Sequence, residues 1–133
     1  CRENDVGLWA WAVLEEGILI GPKKKNEKSS IIKLLYNNRR KKLEPLFEVM
    51  EEIGNYYNIT IAQVAIAFVA NKGIVPVCGC RKPYQIKELK EAVDIRLKDT
   101  EMKILQDTAD ATNIKILGSD IFRFAVKNSS SSR

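Results

Sequence analysis

The sequence predicts an α/β fold of parallel strands joined by helical crossovers. Three observations carry that reading. Two short uncharged runs, residues 6–14 and 74–78, have the length and the β-branched or aromatic content of buried strands. Apolar residues recur at helical spacing in four further segments. The order is strand, long loop, two helices, strand, two helices, and strands separated by helical crossovers lie parallel.

The first run, VGLWAWAVL at residues 6–14, is nine residues without a charge and reads as a strand covered on both faces. Glu15-Glu16-Gly17 ends it. Residues 21–43 then hold nine basic side chains and one acidic one, Glu27, leaving 13 basic against 16 acidic elsewhere. The formal net charge of +5 therefore belongs to one stretch. Gly21-Pro22 opens it, and Asn26, Ser29, Ser30, Asn37 and Asn38 punctuate it, so it reads as a long basic loop. Its single aromatic, Tyr36, makes no stacking platform, and a solvated connector is favoured over a polyanion site.

From Leu43 the pattern becomes helical. Leu43, Leu46, Phe47, Met50, Ile53 and Tyr57 share one face, while Glu44, Glu48, Glu51 and Glu52 point outward. Pro45 suits a first turn, Gly54 is a mild internal penalty, and Asn58 is a stop. Thr60-Ile61-Ala62-Gln63 has the form of a capping box. The helix it opens, through Val64, Ala65, Phe68 and Val69, is apolar nearly all round and ends at Gly73.

The second strand, IVPVC at 74–78, contains Pro76, which places that residue near a strand end or an irregular pairing. Gly79-Cys80-Arg81-Lys82-Pro83 turns into a helix whose buried face carries Ile86, Leu89 and Val93. Asp99 or Thr100 caps a last helix carrying Met102, Leu105, Thr108 and Ala109. Beyond Thr112 periodicity fades, and residues 119–133 read as a flexible, serine-rich tail. Two strands cannot form a sheet buried on both faces, so these need neighbours that the chain does not supply.

Composition narrows the chemistry. The 133 residues include no histidine, which excludes a Ser-His-Asp triad, a Cys-His pair and a two-His zinc site within the chain. Three cysteines, Cys1, Cys78 and Cys80, make neither a disulfide framework nor a closed metal site. They fit a reduced, cytoplasmic protein, and no metal is expected. No apolar run approaches membrane-spanning length and no secretory leader opens the chain, so no membrane partner is expected, and no RNA-binding signature accompanies the basic stretch, so no nucleic acid is expected either. A translation product begins with Met, so Cys1 suggests a processed product, a fragment or an incomplete record.

Several ordered segments resemble the C-terminal part of an aldo-keto reductase. The family's strand Ala-Tyr-Ser-Pro-Leu-x-x-Gly-x-Leu is matched by Ala10-Trp11-Ala12-Val13-Leu14-Glu15-Glu16-Gly17-Ile18-Leu19. Its Thr-x-Ala-Gln-Val-Ala helix is present at Thr60 to Ala65, and its Ile-Pro-Ile-x-Gly strand at Val75 to Gly79. Arg81, Pro83, Gln85 and Glu88 keep the Arg-x-Pro-x-Gln-x-x-Glu register, and Leu97-Lys98-Asp99-Thr100-Glu101 resembles its Leu-Ser-Asp-x-Glu helix start.

The resemblance covers residues 6–118 and implies a (β/α)8 TIM barrel. This chain would be its C-terminal portion, holding the last two strands and their helices, with the N-terminal part of the barrel as its missing partner. It further implies NADP as cofactor and reduction of a small aldehyde or ketone by hydride transfer. Trp11 would stack on the nicotinamide, while Ala12, Leu14, Gly17 and Leu19 would wrap the pyrophosphate. Arg81 would reach the 2′-phosphate with help from Lys82, Gln85 and Glu88 would reach the adenosine, and Gly79 belongs to the same cofactor-binding set. The family's catalytic Tyr, Lys, Asp and His match no position here, so no catalytic residue is expected in this chain. Ala12 for the usual serine and Leu89 for an asparagine, with the basic stretch, keep a second reading open: a non-catalytic regulatory or interaction subunit derived from the same barrel.

Overall fold

The computed structural model describes residues 1–14, Leu19 and 41–113. After a 3-10 turn at Arg2–Asn4 come β1 (Trp9–Trp11), α1 (Glu44–Tyr57), α2 (Ile61–Asn71), β2 (Val75–Val77), α3 (Pro83–Asp94) and α4 (Asp99–Ala111). The strands pair in parallel, with Trp9 opposite Val75, Ala10 opposite Pro76 and Trp11 opposite Val77. The α/β order and the parallel pairing are thus as the sequence predicts. Gly17, residues 21–40 of the basic stretch and the tail at 119–133 lie outside the described residues. The end of that stretch is not loop: Lys41 and Lys42 are helical, and Leu43 is buried beneath α1 with its carbonyl accepting from Phe47 N–H at 2.9 Å.

The core forms where α1, α2 and α4 meet. Leu46, Met50 and Ile53 recur at helical spacing along α1 and pack with Val64, Ala65 and Ala67 of α2, and with Leu97 and Leu105. Residues 63–67 are all buried, as a helix apolar on every side requires. Burying an aliphatic side chain such as Val64 or Ile66 contributes about 1.5–3 kcal/mol. The capping box is made in full: Gln63 N–H donates to Thr60 Oγ1 at 3.2 Å, and Thr60 N–H to Gln63 Oε1 at 3.0 Å. Among the described residues no single helix is long and apolar enough to cross a membrane.

Two of the core helices, α1 and α2, end in the same hydrogen-bonded motif. At the end of α1, Ile59 N–H donates to Gly54 O at 2.8 Å and Asn58 N–H to Asn55 O, with Asn58 in the left-handed region at φ 54°. At the end of α2, Ile74 N–H reaches Val69 O and Gly73 N–H reaches Ala70 O, with Gly73 at φ +75°. These are Schellman closures, six-to-one plus five-to-two, and they satisfy carbonyls the helix itself leaves open.

The strands depart from expectation. They are three residues long and present one face to solvent: Trp9 is 75% exposed, Trp11 69%, Val75 49% and Val77 39%. Ala10 and Pro76 alternate to the other, half-buried face. Among the described residues nothing lies across the outer face of this two-stranded sheet, which is the strand deficit in physical form. Pro76 sits in the middle of β2 and not at an end. Val75 N–H donates toward the first strand, to Leu8 O at 2.9 Å, so the missing N–H of Pro76 faces the open edge, where no ladder bond is lost.

The helical faces need two corrections. Ile86 is exposed, because α3 turns Ala92 inward with Gln85, Glu88, Leu89 and Val93 half-buried, and Ile86 lies about 120° around from Ala92. α4 begins with Lys98 at the cap position, one residue before the expected cap. There the Glu101 carboxylate accepts from Lys98 N–H at 2.8 Å and replaces a side-chain cap from Asp99 or Thr100.

α1 is tied to the start of α4 by Tyr57, whose hydroxyl donates to Glu101 Oε2 at 2.8 Å, while Lys98 Nζ lies 4.2 Å from the centre of the Tyr56 ring. Partial burial, then the hydrogen bond and charge of Glu101, push the Tyr57 phenol above its ordinary 10.0. The folded state therefore holds this proton more tightly than the unfolded chain does. Stability from this group is fully present below pH 10 and is lost as pH rises through the shifted value. Lys98 is raised as well, chiefly by its hydrogen bond with Tyr56, so its contribution has the same sign. Urea titrations between pH 8 and 11.5 are expected to show a midpoint falling above pH 10, with a shallower fall in Tyr57→Phe. Equal slopes in the two proteins would remove Tyr57 from the explanation.

Candidate functional site

Parallel register brings the C-terminal ends of β1 and β2 to one edge of the sheet. Trp11 lies beside Val77 there, Ala12 follows the first strand, and Cys78 to Lys82 follow the second and lead into α3. Residues 65 and more apart in sequence thus share one rim. Ala12 holds φ 59°, a left-handed conformation uncommon for a residue with a Cβ, and turns the chain sharply off β1. Leu14 and Leu19 pack against the core, and Leu19 N–H donates to Leu14 O at 3.3 Å. Their side chains thus anchor this turn. Gly17, between them, lies outside the described residues.

On the β2 side, Gly79, Cys80, Arg81 and Lys82 are exposed. Gln85 is brought back to this turn: its Oε1 accepts from Arg81 N–H at 2.8 Å and from Lys82 N–H at 3.0 Å. Glu88 lies one helical turn further on, and its backbone carbonyl accepts from Gln63 Nε2 at 3.2 Å, which fixes α3 against the start of α2. Trp11, Ala12, Gly79, Arg81 and Gln85 are therefore gathered at or near one rim, and Glu88 is set back along α3.

Charge at this rim is positive. Among the described residues no carboxylate pairs with the Arg81 guanidinium. Lys82 stands next to it, 5.8 Å from the Tyr84 ring centre, an aromatic that periodicity alone did not single out. Because Gln85 occupies the Arg81 and Lys82 backbone donors, an anion here would be held mainly by side-chain charge, aided by the α3 dipole. A phosphate ester fits these residue types, since a guanidinium and an ammonium on consecutive exposed residues offer donors and no acceptor. Burial pushes the neighbouring Cys78 thiol above its ordinary value, and Cys80 adds to the shift. Among the described residues no group of three or more His, Cys, Asp or Glu converges as a metal site would need.

Comparison with known proteins gives a consistent set of likenesses. A family model described as the Aldo/keto reductase family matches residues 1–110. A Schizosaccharomyces pombe protein whose name assigns it provisionally to the aryl-alcohol dehydrogenases is 27% identical over 111 residues, covering 80% of this chain and 32% of the relative. The aldo-keto reductase yakc [NADP(+)] of the same yeast is 27% identical over 127 residues, covering 89% of this chain and 36% of its own length. An aryl-alcohol dehydrogenase of Pestalotiopsis microspora is 27% identical over 112 residues, covering 83% and 29%. The chain spans about a third of the length of these curated relatives.

Proposed function

The chain belongs to the aldo/keto reductase family, and from that premise we propose that it supplies the cofactor-binding C-terminal part of an NADP-dependent reductase of small aldehydes or ketones. The family implies a (β/α)8 barrel, in which β1 and β2 are the seventh and eighth strands. Closure of the barrel covers the apolar face of Trp9, Trp11, Val75 and Val77. Sites in such barrels gather at the C-terminal ends of the strands, the rim that holds Trp11, Ala12 and Arg81.

The observation that carries the reading is Arg81: exposed, without a carboxylate partner among the described residues, and fixed by Gln85 at the head of α3. In this reading the Arg81 guanidinium and Lys82 ammonium bind the 2′-phosphate of NADP. Trp11 orients the nicotinamide, and the turn through Ala12 and Leu14 to Leu19 follows the pyrophosphate. NADPH, when bound, supplies the hydride for the carbonyl carbon. This chain's residues bind and orient; the proton donor lies outside it. The relative named for NADP(+) favours this cofactor over NAD.

Fluorescence titration of NADPH and NADH with the protein and its Arg81→Ala variant tests the proposal. NADPH affinity is expected to fall about 10- to 100-fold, the range of lost charged hydrogen bonds, while NADH affinity stays the same. An equal effect on both cofactors, or none on either, would refute the Arg81 assignment.

A further inference from the structure

The turn between β2 and α3 holds two thiols that cofactor binding leaves unused. Cys78, just past β2, is half-buried, Cys80 is exposed, and both are free. Residues 78–80 lie past the end of β2, and Cα atoms two residues apart are separated by about 6.6 Å when the chain is extended and by less where it turns. The extended separation is at the upper edge of the roughly 4.4–6.8 Å that a disulfide accepts between Cα atoms. Gly79 stands between them, and a Cβ built there would meet nothing within 4 Å, so the turn has both the space and the backbone freedom to contract. The two thiols also interact electrostatically, with Cys80 hindering ionisation of Cys78.

We propose that Cys78 and Cys80 are a peroxide-oxidisable dithiol, with Cys80 the thiol that attacks the peroxide and Cys78 the resolving one. The Cys80 thiolate attacks one oxygen of hydrogen peroxide and the O–O bond breaks, giving a sulfenic acid and a hydroxide that is protonated to water. The Cys78 thiolate then attacks the Cys80 sulfur; the S–S bond forms and the sulfenic oxygen leaves as water. In total two thiols give up two electrons and two protons to the peroxide, and one disulfide and two waters result. A bridge closed across a single glycine is strained, which makes it readily reducible, the property of regulatory and not structural disulfides.

The bridge acts on the adjoining residues. Arg81 follows Cys80 directly, and its N–H and that of Lys82 are held by Gln85 Oε1 at 2.8 and 3.0 Å. Contraction of the turn draws both donors away from Gln85 and frees the head of α3. The importance of this for cofactor binding rests on the proposed function; the oxidation itself does not.

The reduced protein is treated with one equivalent of hydrogen peroxide, digested with trypsin, and the peptide of residues 73–81 is weighed. The peptide is expected to be lighter by two hydrogens, to regain them with dithiothreitol, and to leave Cys1 open to alkylation. In Cys78→Ser, Cys80 is expected to stop at the sulfenic acid and to be captured by dimedone. An unchanged peptide, one that only gains oxygen, or one joined to Cys1 would overturn the dithiol. Hydrogen exchange at the Arg81 and Lys82 amides is expected to accelerate about tenfold or more in the bridged form, and unchanged exchange would overturn the link to α3. NADPH titration of the reduced protein reads the cofactor assignment separately, so the two failures can be told apart.

Discussion

Replacing Asn71 with alanine is expected to destabilise the protein by about 3 kcal/mol, among the largest single-site losses in the described structure. Asn71 is the last residue of α2, and its amide is used on both ends. Nδ2 donates to Ala67 O and to Ile95 O, each at 2.7 Å, and Oδ1 accepts from Leu97 N–H at 3.2 Å. The two outer bonds clasp the 95–97 segment between α3 and α4, and so seat Leu97, which is buried in the core. Each bond contributes about 1 kcal/mol, and truncation also leaves the Ile95 carbonyl and Leu97 N–H without this partner. With a urea m-value of about 1–3 kcal/mol per molar, the midpoint should fall by about 1–3 M. Asn71→Asp discriminates. It keeps the acceptor for Leu97 but turns an oxygen toward the Ile95 carbonyl, so it should rescue little. Stability near wild type in either variant would show that the clasp is not holding the segment.

The position of Asn71 explains what could and could not be read in the sequence. Local devices were legible because their partners are a few residues away. Thr60 and Gln63 form their capping box, Gly73 closes α2, and the stripe of Leu46, Met50 and Ile53 faces the core. Asn71 bonds 24 and 26 residues ahead, and no spacing rule announces that. Ile86 shows the converse. An isoleucine at helical spacing was expected to be buried, but the buried stripe of α3 runs through Ala92, and a helix buries only one stripe. Both strands were found by their apolar runs, and the strand deficit read from those runs appears as their exposure, because an apolar run reports that both faces want covering and two strands cannot supply the cover.

The candidate rim divides in the same way. Motif register singles out Arg81, and parallel pairing sets the end of β2 that leads to it beside Trp11. Gln85 was expected to face adenosine, yet its amide oxygen is turned to the Arg81 and Lys82 backbone. Lys82 provides no acceptor of its own, so the third residue of the helix caps it instead. The same reversal occurs at α4, where Glu101 caps Lys98. Two helices that begin after lysine thus use a downstream acceptor, which ties the geometry of Arg81 to a residue four positions later.

Gly54→Ala is expected to cost about 2 kcal/mol, although alanine in place of glycine inside a helix ordinarily gains about 1. The sign reverses because of the closure at the end of α1. A Cβ on Gly54 would lie 2.7 Å from the carbonyl oxygen of Ile59, a backbone atom that cannot swing aside. Relief requires displacing residues 58 and 59, which weakens the 2.8 Å bond from Ile59 N–H to Gly54 O and disturbs the left-handed Asn58. Gly73 is the control, since it closes α2 by the same motif for a different reason. Its Cβ position is open, but its φ of +75° strains any L-residue by about 1–2 kcal/mol. Asparagine tolerates that conformation, so Gly73→Asn should recover much of what Gly73→Ala loses, whereas Gly54→Asn should be at least as damaging as Gly54→Ala. Urea midpoints of the four variants settle the matter. If Gly54→Ala is stabilising, the close approach of Ile59 is not what keeps glycine at position 54.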